Sequence, residues 1–220
     1  MKTATQIFVG EKTFLTRVFG YFSVALFISG FVAFYFANFQ REILLQISQF
    51  FWILAVAQIG VVFFLAARIQ KISTQTAFAL FVIYATLTGF NLGAIFFAFT
   101  AASIAKTFFI CGGVFASMAI YGATTEADLS QFRQIFFFGI LGLIFAGIVN
   151  IFLGSTLLEW ISSIVGVFIF TGLIAHDAQK LQNLPREMQN ENSAIYGALQ
   201  LYLDFINLFL YLLRFFGSRD

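Results

Sequence analysis

Seven apolar stretches, each near the length a helix needs to cross a hydrocarbon layer, leave this 220-residue chain little choice of solvent. At 1.5 Å of rise per residue, about 20 residues cover a bilayer core. The stretches fall at residues 14–36, 43–67, 77–100, 103–121, 132–153, 157–176 and 197–216. Lipid offers no partner to backbone N–H and C=O groups, so segments of this length must pair them internally as helices. The expected fold is therefore an all-α integral membrane protein, one domain over residues 1–220 with seven transmembrane helices. Composition agrees: 60% of residues are hydrophobic and 10% charged. The 34 Phe and single Pro predict bulky, unbroken spans, and 17 Gly supply points of close helix approach.

The connections are short. The third and fourth stretches are expected to meet at 101–106 and the fifth and sixth at 154–156, as tight helical hairpins. Polar loops are expected at 38–42, 70–75 and 124–130, and the longest at 179–193, which holds Pro185. No internal repeat is visible, so nothing points to a transporter of inverted halves. With the N-terminus in the cytoplasm, the inner side carries Lys2, Lys12, Arg17, Arg68, Lys71, Arg133, Lys180 and Arg186, against Arg41, Lys106, Arg214 and Arg219 outside. That excess favours the N-in orientation. The first stretch is too long for a cleavable signal and is read as retained. The net charge of +2 is scattered at span ends, which excludes a nucleic-acid surface. Cys111 has no intrachain partner and reads as a buried inert thiol, and the single His excludes a histidine metal cluster.

The last stretch is the least uniform. Gln200, Asp204, Asn207, Tyr211 and Arg214 follow one another at spacings of four, three, four and three. At about 100° per residue they share one side of a helix, a candidate pore lining or polar stripe. A carboxylate within a span is disfavoured by about 2.5–3.5 kcal/mol on insertion scales, so it faces protein and has a partner. The last helix is accordingly expected to be central.

Asp177 closes the sixth stretch in GLIAHDAQKL, 27 residues before Asp204. Consecutive antiparallel helices joined on the cytoplasmic side bring both carboxyls toward that side, where they can meet. Two carboxyls in a poorly hydrated site share one proton, which makes a pH sensor and gating pair. Deprotonated, they repel or attract a hard cation, so proton and calcium would compete for Asp177 and Asp204. Other readings stay open. Asp177 can be a solvated helix end, and Asp204 can hydrogen-bond a neighbouring span. Asn207 can bond another helix, and Tyr211 can belong to an interfacial aromatic belt. Arg68, at the inner end of the second stretch, suits either a latch onto an aspartate or a snorkelling anchor. His176 is one residue from Asp177, so its ring is expected to point about 100° away and to be solvated.

Three strings add a resemblance: TGFNLGAIF at 88–96, HDAQKL at 176–181, and LYLDFINLFLYLLRFFG at 201–217. They are similar to the Bax inhibitor motif family of membrane proteins, over residues 14–217. The resemblance implies six helices surrounding the last one, and a pH-sensitive calcium leak governed by paired aspartates, with Asp177 and Asp204 in those places. It implies a second-span arginine that latches onto the pair, for which Arg68 is the best match. One departure is that some relatives carry an acid within the second span, where the nearest polar residue here is Gln58. The cell-death role of eukaryotic members does not transfer on these motifs.

The expected function is a pH-sensitive calcium leak in a bacterial inner (plasma) membrane, not an enzyme, with no cofactor and with lipid, protons and calcium as partners. The alternative is a regulatory partner of a membrane protease or quality-control complex, docking through residues 1–13. An intramembrane aspartyl protease also sets two aspartates on neighbouring spans. Its GxGD pattern is not matched, since Tyr202 stands two positions before Asp204, and no PAL follows.

Overall fold

The structure is a computed structural model that describes residues 4–218, with the side chains of residues 14–47, 49–50 and 52–218. Of the expected docking segment 1–13, residues 1–3, with Lys2, and the side chains of 4–13, with Lys12, lie outside the described residues, as does Arg219. Eight helices follow one another: α1 Ala4–Phe39, α2 Arg41–Ser48, α3 Phe51–Arg68, α4 Thr74–Gly93, α5 Ala101–Thr124, α6 Arg133–Leu153, α7 Thr156–Gln182 and α8 Glu191–Phe216. Short 3-10 turns occupy Ala94–Phe97, Leu129–Phe132 and Arg186–Met188, and no strand occurs among the described residues.

Six segments are long and apolar enough to cross a membrane, and α2 with α3 makes a seventh only if that bent pair counts as one span. The stretch expected as a single crossing at 43–67 is thus two helices meeting at 77°. The reason lies in α2, which carries Arg41, Glu42, Gln46 and Ser48 within eight residues and is too polar to continue a span. Its anchor is Leu44, fully buried against Gly93, while the Arg41 guanidinium lies 4.8 Å over the Phe97 ring. Two other boundaries move. Residues 101–106 are the first turns of α5 rather than a hairpin, and α7 runs six residues beyond 176, so Asp177 lies inside a helix.

Three helix starts have a local cause. Ser73, Thr100 and Ser155 cap α4, α5 and α7, their hydroxyls accepting from the N–H of Thr76, Ser103 and Leu158. Between α6 and α7 the chain turns in two residues. Gly154 takes the left-handed conformation at φ 58°, and the Asn150 side chain accepts from Ser155 N at 2.8 Å.

The chain forms two compact units, residues 1–98 with 184–202, and residues 99–183 with 203–220. In the first unit α1 and α3 pack along α4. The start of α8 is tied into this unit by polar contacts. Glu191 accepts from Arg17 at 2.6 Å and from the Tyr21 hydroxyl at 2.5 Å. Asn192 donates to the carbonyls of Ile69 and Ile72 and accepts from the Thr74 hydroxyl, so one amide satisfies the frayed end of α3 and the start of α4. In the second unit α7 packs on both α5 and α6. A Cβ on Gly122 of α5 would sit 2.0 Å from the Ala175 carbonyl oxygen, so these backbones approach as only glycine permits. By contrast α6 buries only 6% of its most apolar window, and Phe138, Phe145 and Phe152 stand exposed along it. Rings in that number on the outside suit hydrocarbon, not water.

Two outcomes are expected in detergent unfolding experiments. Gly122→Val destabilises by about 1–3 kcal/mol through overpacking, whereas Gly113→Ala, whose Cβ meets nothing within 4 Å, changes little. Equal stability of the two variants would contradict the close α5–α7 approach. Asn192→Ala strips three partners and is expected to cost about 1–3 kcal/mol; an unchanged midpoint would show that the amide carries no part of the clasp.

Candidate functional site

Both aspartates belong to the second unit, Asp177 on α7 and Asp204 on the second half of α8. Neither is solvated: Asp177 is 8% exposed and Asp204 6%. The reading of Asp177 as an open helix end therefore gives way to a buried position. Its surroundings explain this. On α7 the residues Leu173, Ile174, Ala175, Ala178 and Leu181 are buried with it, so Asp177 sits on the interior side of the helix while Lys180 of the HDAQKL string is exposed. Gln179 extends the helix by bonding outside it, donating to Ala127 O at 2.7 Å and accepting from Leu129 N at 2.9 Å.

The two carboxyls act on one another electrostatically, and Lys180, one turn beyond Asp177, acts on Asp204 as well. They differ in partners. Asp177 Oδ1 is 2.8 Å from His176 Nδ1, an ion pair whenever the imidazole is charged. His176 is itself held, its ring edge-on to Phe136 with centroids 5.9 Å apart. Its expected solvated, outward position is corrected here: the two neighbouring side chains bend toward each other. Asp204 Oδ2 is buried and has no hydrogen-bond partner among the described residues. The next carbonyl along, that of Phe205, accepts from the buried Cys111 thiol at 3.6 Å, so the cysteine serves packing.

The rest of the stripe divides. Asn207 donates to Leu203 O at 2.8 Å, within its own helix. Tyr211 stacks on Phe170 at 5.8 Å and lies against Gly166, while the exposed Arg214 reaches over its ring at 5.7 Å. Gln200 is half-buried on the first half of α8, in the first unit. Arg68 ends α3, also in the first unit. Sequence reasoning missed His176 and Lys180 as members of the aspartate site. The signal was present in the HDAQK spacing, which puts a cation-forming side chain one and three residues from Asp177.

No group of three or more His, Cys, Asp or Glu able to hold a metal occurs among the described residues. Two carboxylates supply at most a few of the six to eight oxygens that calcium takes.

The family described as "Inhibitor of apoptosis-promoting Bax1" matches residues 11–220. The inner membrane protein YbhL of Escherichia coli K12 is 43% identical over 218 residues, covering 96% of this chain and 93% of that protein. A protein of Borreliella burgdorferi is 41% identical over 216 residues, with 95% and 93% covered. The protein RP147 of Rickettsia prowazekii is 37% identical over 215 residues, with 96% and 91% covered. With its apolar spans and a match along nearly its whole length, the chain is an integral membrane protein and belongs to the Bax inhibitor motif family.

Proposed function

We propose that the protein is a pH-sensitive calcium leak of a bacterial inner membrane, gated by protonation of Asp177 and Asp204. One observation carries the reading: two buried carboxyls from different helices lie within electrostatic reach, and one of their oxygens has no partner among the described residues. Sharing a proton, the pair holds its helices together. Losing it leaves two carboxylates that repel, and the bundle shifts toward a state in which a cation enters between them. Lys180, and His176 whenever its imidazole is charged, stand beside the pair and bias the same balance.

A cytoplasmic N-terminus and a central last helix among seven crossings belong to this proposal. Support for the second comes from burial: half of the α8 window is buried, the largest share of any span. The relatives' inner-membrane name supports the location.

Liposomes holding the purified protein and a calcium indicator test the gate. Wild-type flux is expected to rise with pH by about tenfold, the ratio given by a bias of 1.4 kcal/mol. Asp204→Asn and Asp177→Asn are expected to flatten that dependence. A pH dependence in both variants as steep as that of the wild type would overturn the gate. A wild type without flux at any pH would remove the leak and leave the partner of a membrane protease as the reading to pursue. Separately, His176→Phe removes the Asp177 donor and should destabilise by about 1–3 kcal/mol. His176→Asn, which keeps an N–H near Nδ1, should restore much of it; equal loss in the two would mean that bulk, not the hydrogen bond, matters.

A further inference from the structure

The first unit contains a second polar centre, built without charge. Asn91 of α4 donates to Gln58 Oε1 of α3 at 2.5 Å, Gln58 donates to the Thr88 hydroxyl at 2.7 Å, and Thr88 donates to Tyr84 O at 3.0 Å. Tyr202 of α8 stands beside this line. Its ring is edge-on to those of Phe81 and Tyr84, with centroids 6.0 Å away in each case. Its hydroxyl is close to Ser29 and Thr88. The protons of those two hydroxyls are already committed, since Ser29 donates to the carbonyls of Ala25 and Leu26.

Two buried polar atoms are left over among the described residues: the Tyr202 hydroxyl, on a residue 0% exposed, and Asn91 Oδ1. Thr88 and Asn91 are three residues apart on α4 and so share one side of it. An unpaired polar group within a span is costly. The two groups are complementary to a single chemistry. A tyrosine hydroxyl lacks an acceptor and an amide oxygen lacks a donor, and a molecule able to do both satisfies them. A bare cation does not fit, because no carboxylate stands in this line of side chains to compensate its lost hydration.

We propose that the first unit binds internal water at a site formed by Tyr202, Thr88, Gln58 and Asn91. Buried waters typically make about three hydrogen bonds; the Tyr202 hydroxyl and Asn91 Oδ1 supply two, and the remaining lone pair of the Thr88 hydroxyl supplies a third.

X-ray radiolysis of the full-length protein in nanodiscs, in 18O-labelled water, reads bound water directly, because hydroxyl radicals made there label the adjacent side chain. Tyr202 is expected to label several-fold faster than Phe81, which is equally buried. Tyr202→Phe is expected to lower Tm by about 2–4 °C, the scale for losing one satisfied hydrogen bond in a chain of this size. A raised Tm would show a dry, unpaired hydroxyl and overturn the proposal. A lowered Tm with Tyr202 labelled no faster than Phe81 would also overturn it, since the hydroxyl would then be bonding Ser29 or Thr88 without water.

Discussion

A carboxyl taken out of water and set among apolar helices must acquire a proton, a donor or a cation, and this constraint governs the second unit. Asp177 has a donor in the His176 ring. Asp204 has the field of Lys180 but an oxygen with no hydrogen-bond partner among the described residues. The asymmetry matters more than the number of acids. A pair in which both carboxyls were fully satisfied would be a structural bridge with one preferred state. In the proposed gate the satisfied member anchors the pair, and the unsatisfied one is the carboxyl on which a proton acts.

The first unit meets the same constraint with neutral groups. Gln58, Thr88 and Asn91 hand hydrogen bonds along a line, Asn192 fastens the start of α8 to the end of α3 and the start of α4, and the Glu191 carboxylate fastens it to Arg17 and Tyr21 within α1. Neutral networks change little with pH. Beyond the Glu191 ion pair, α8 therefore carries two kinds of chemistry, residues without carboxyls up to Tyr202 and the buried carboxyl of Asp204 after it.

Much of the fold was legible because span length is set by the bilayer and not by the neighbours of a helix. Apolar runs of about 20 residues announce themselves in the sequence. The 77° break between α2 and α3 did not, since neither Pro nor Gly marks it and the residues there are Gln49 and Phe50. The end of α7 was obscured for the opposite reason. HDAQKL looks like a water-facing terminus until Gln179 is seen bonding the loop before α6. At the site, Asp204 stood out because a charge in an apolar run has few benign explanations. The contact of His176 with Asp177 was only half legible: their adjacency was visible, but helical angles place Cβ atoms and say nothing about how the two side chains lean.

The glycine contact at Gly122 connects the packing to the chemistry. Its Cα lies against the carbonyl of Ala175, and the next two residues of α7 are His176 and Asp177. A crossing fixed through backbone atoms cannot relax by a rotamer change, so the α7 segment carrying the carboxyl is held at one distance from α5. Electrostatic interaction between two charges varies as the inverse of their separation and is strongest where water is excluded. In a site of that kind, a displacement of an ångström changes the balance between shared proton and separated carboxylates more than any surface charge does. The small residue on α5, which carries no charge and touches neither aspartate in the contacts described, thereby fixes the backbone against which the proposed gate would work.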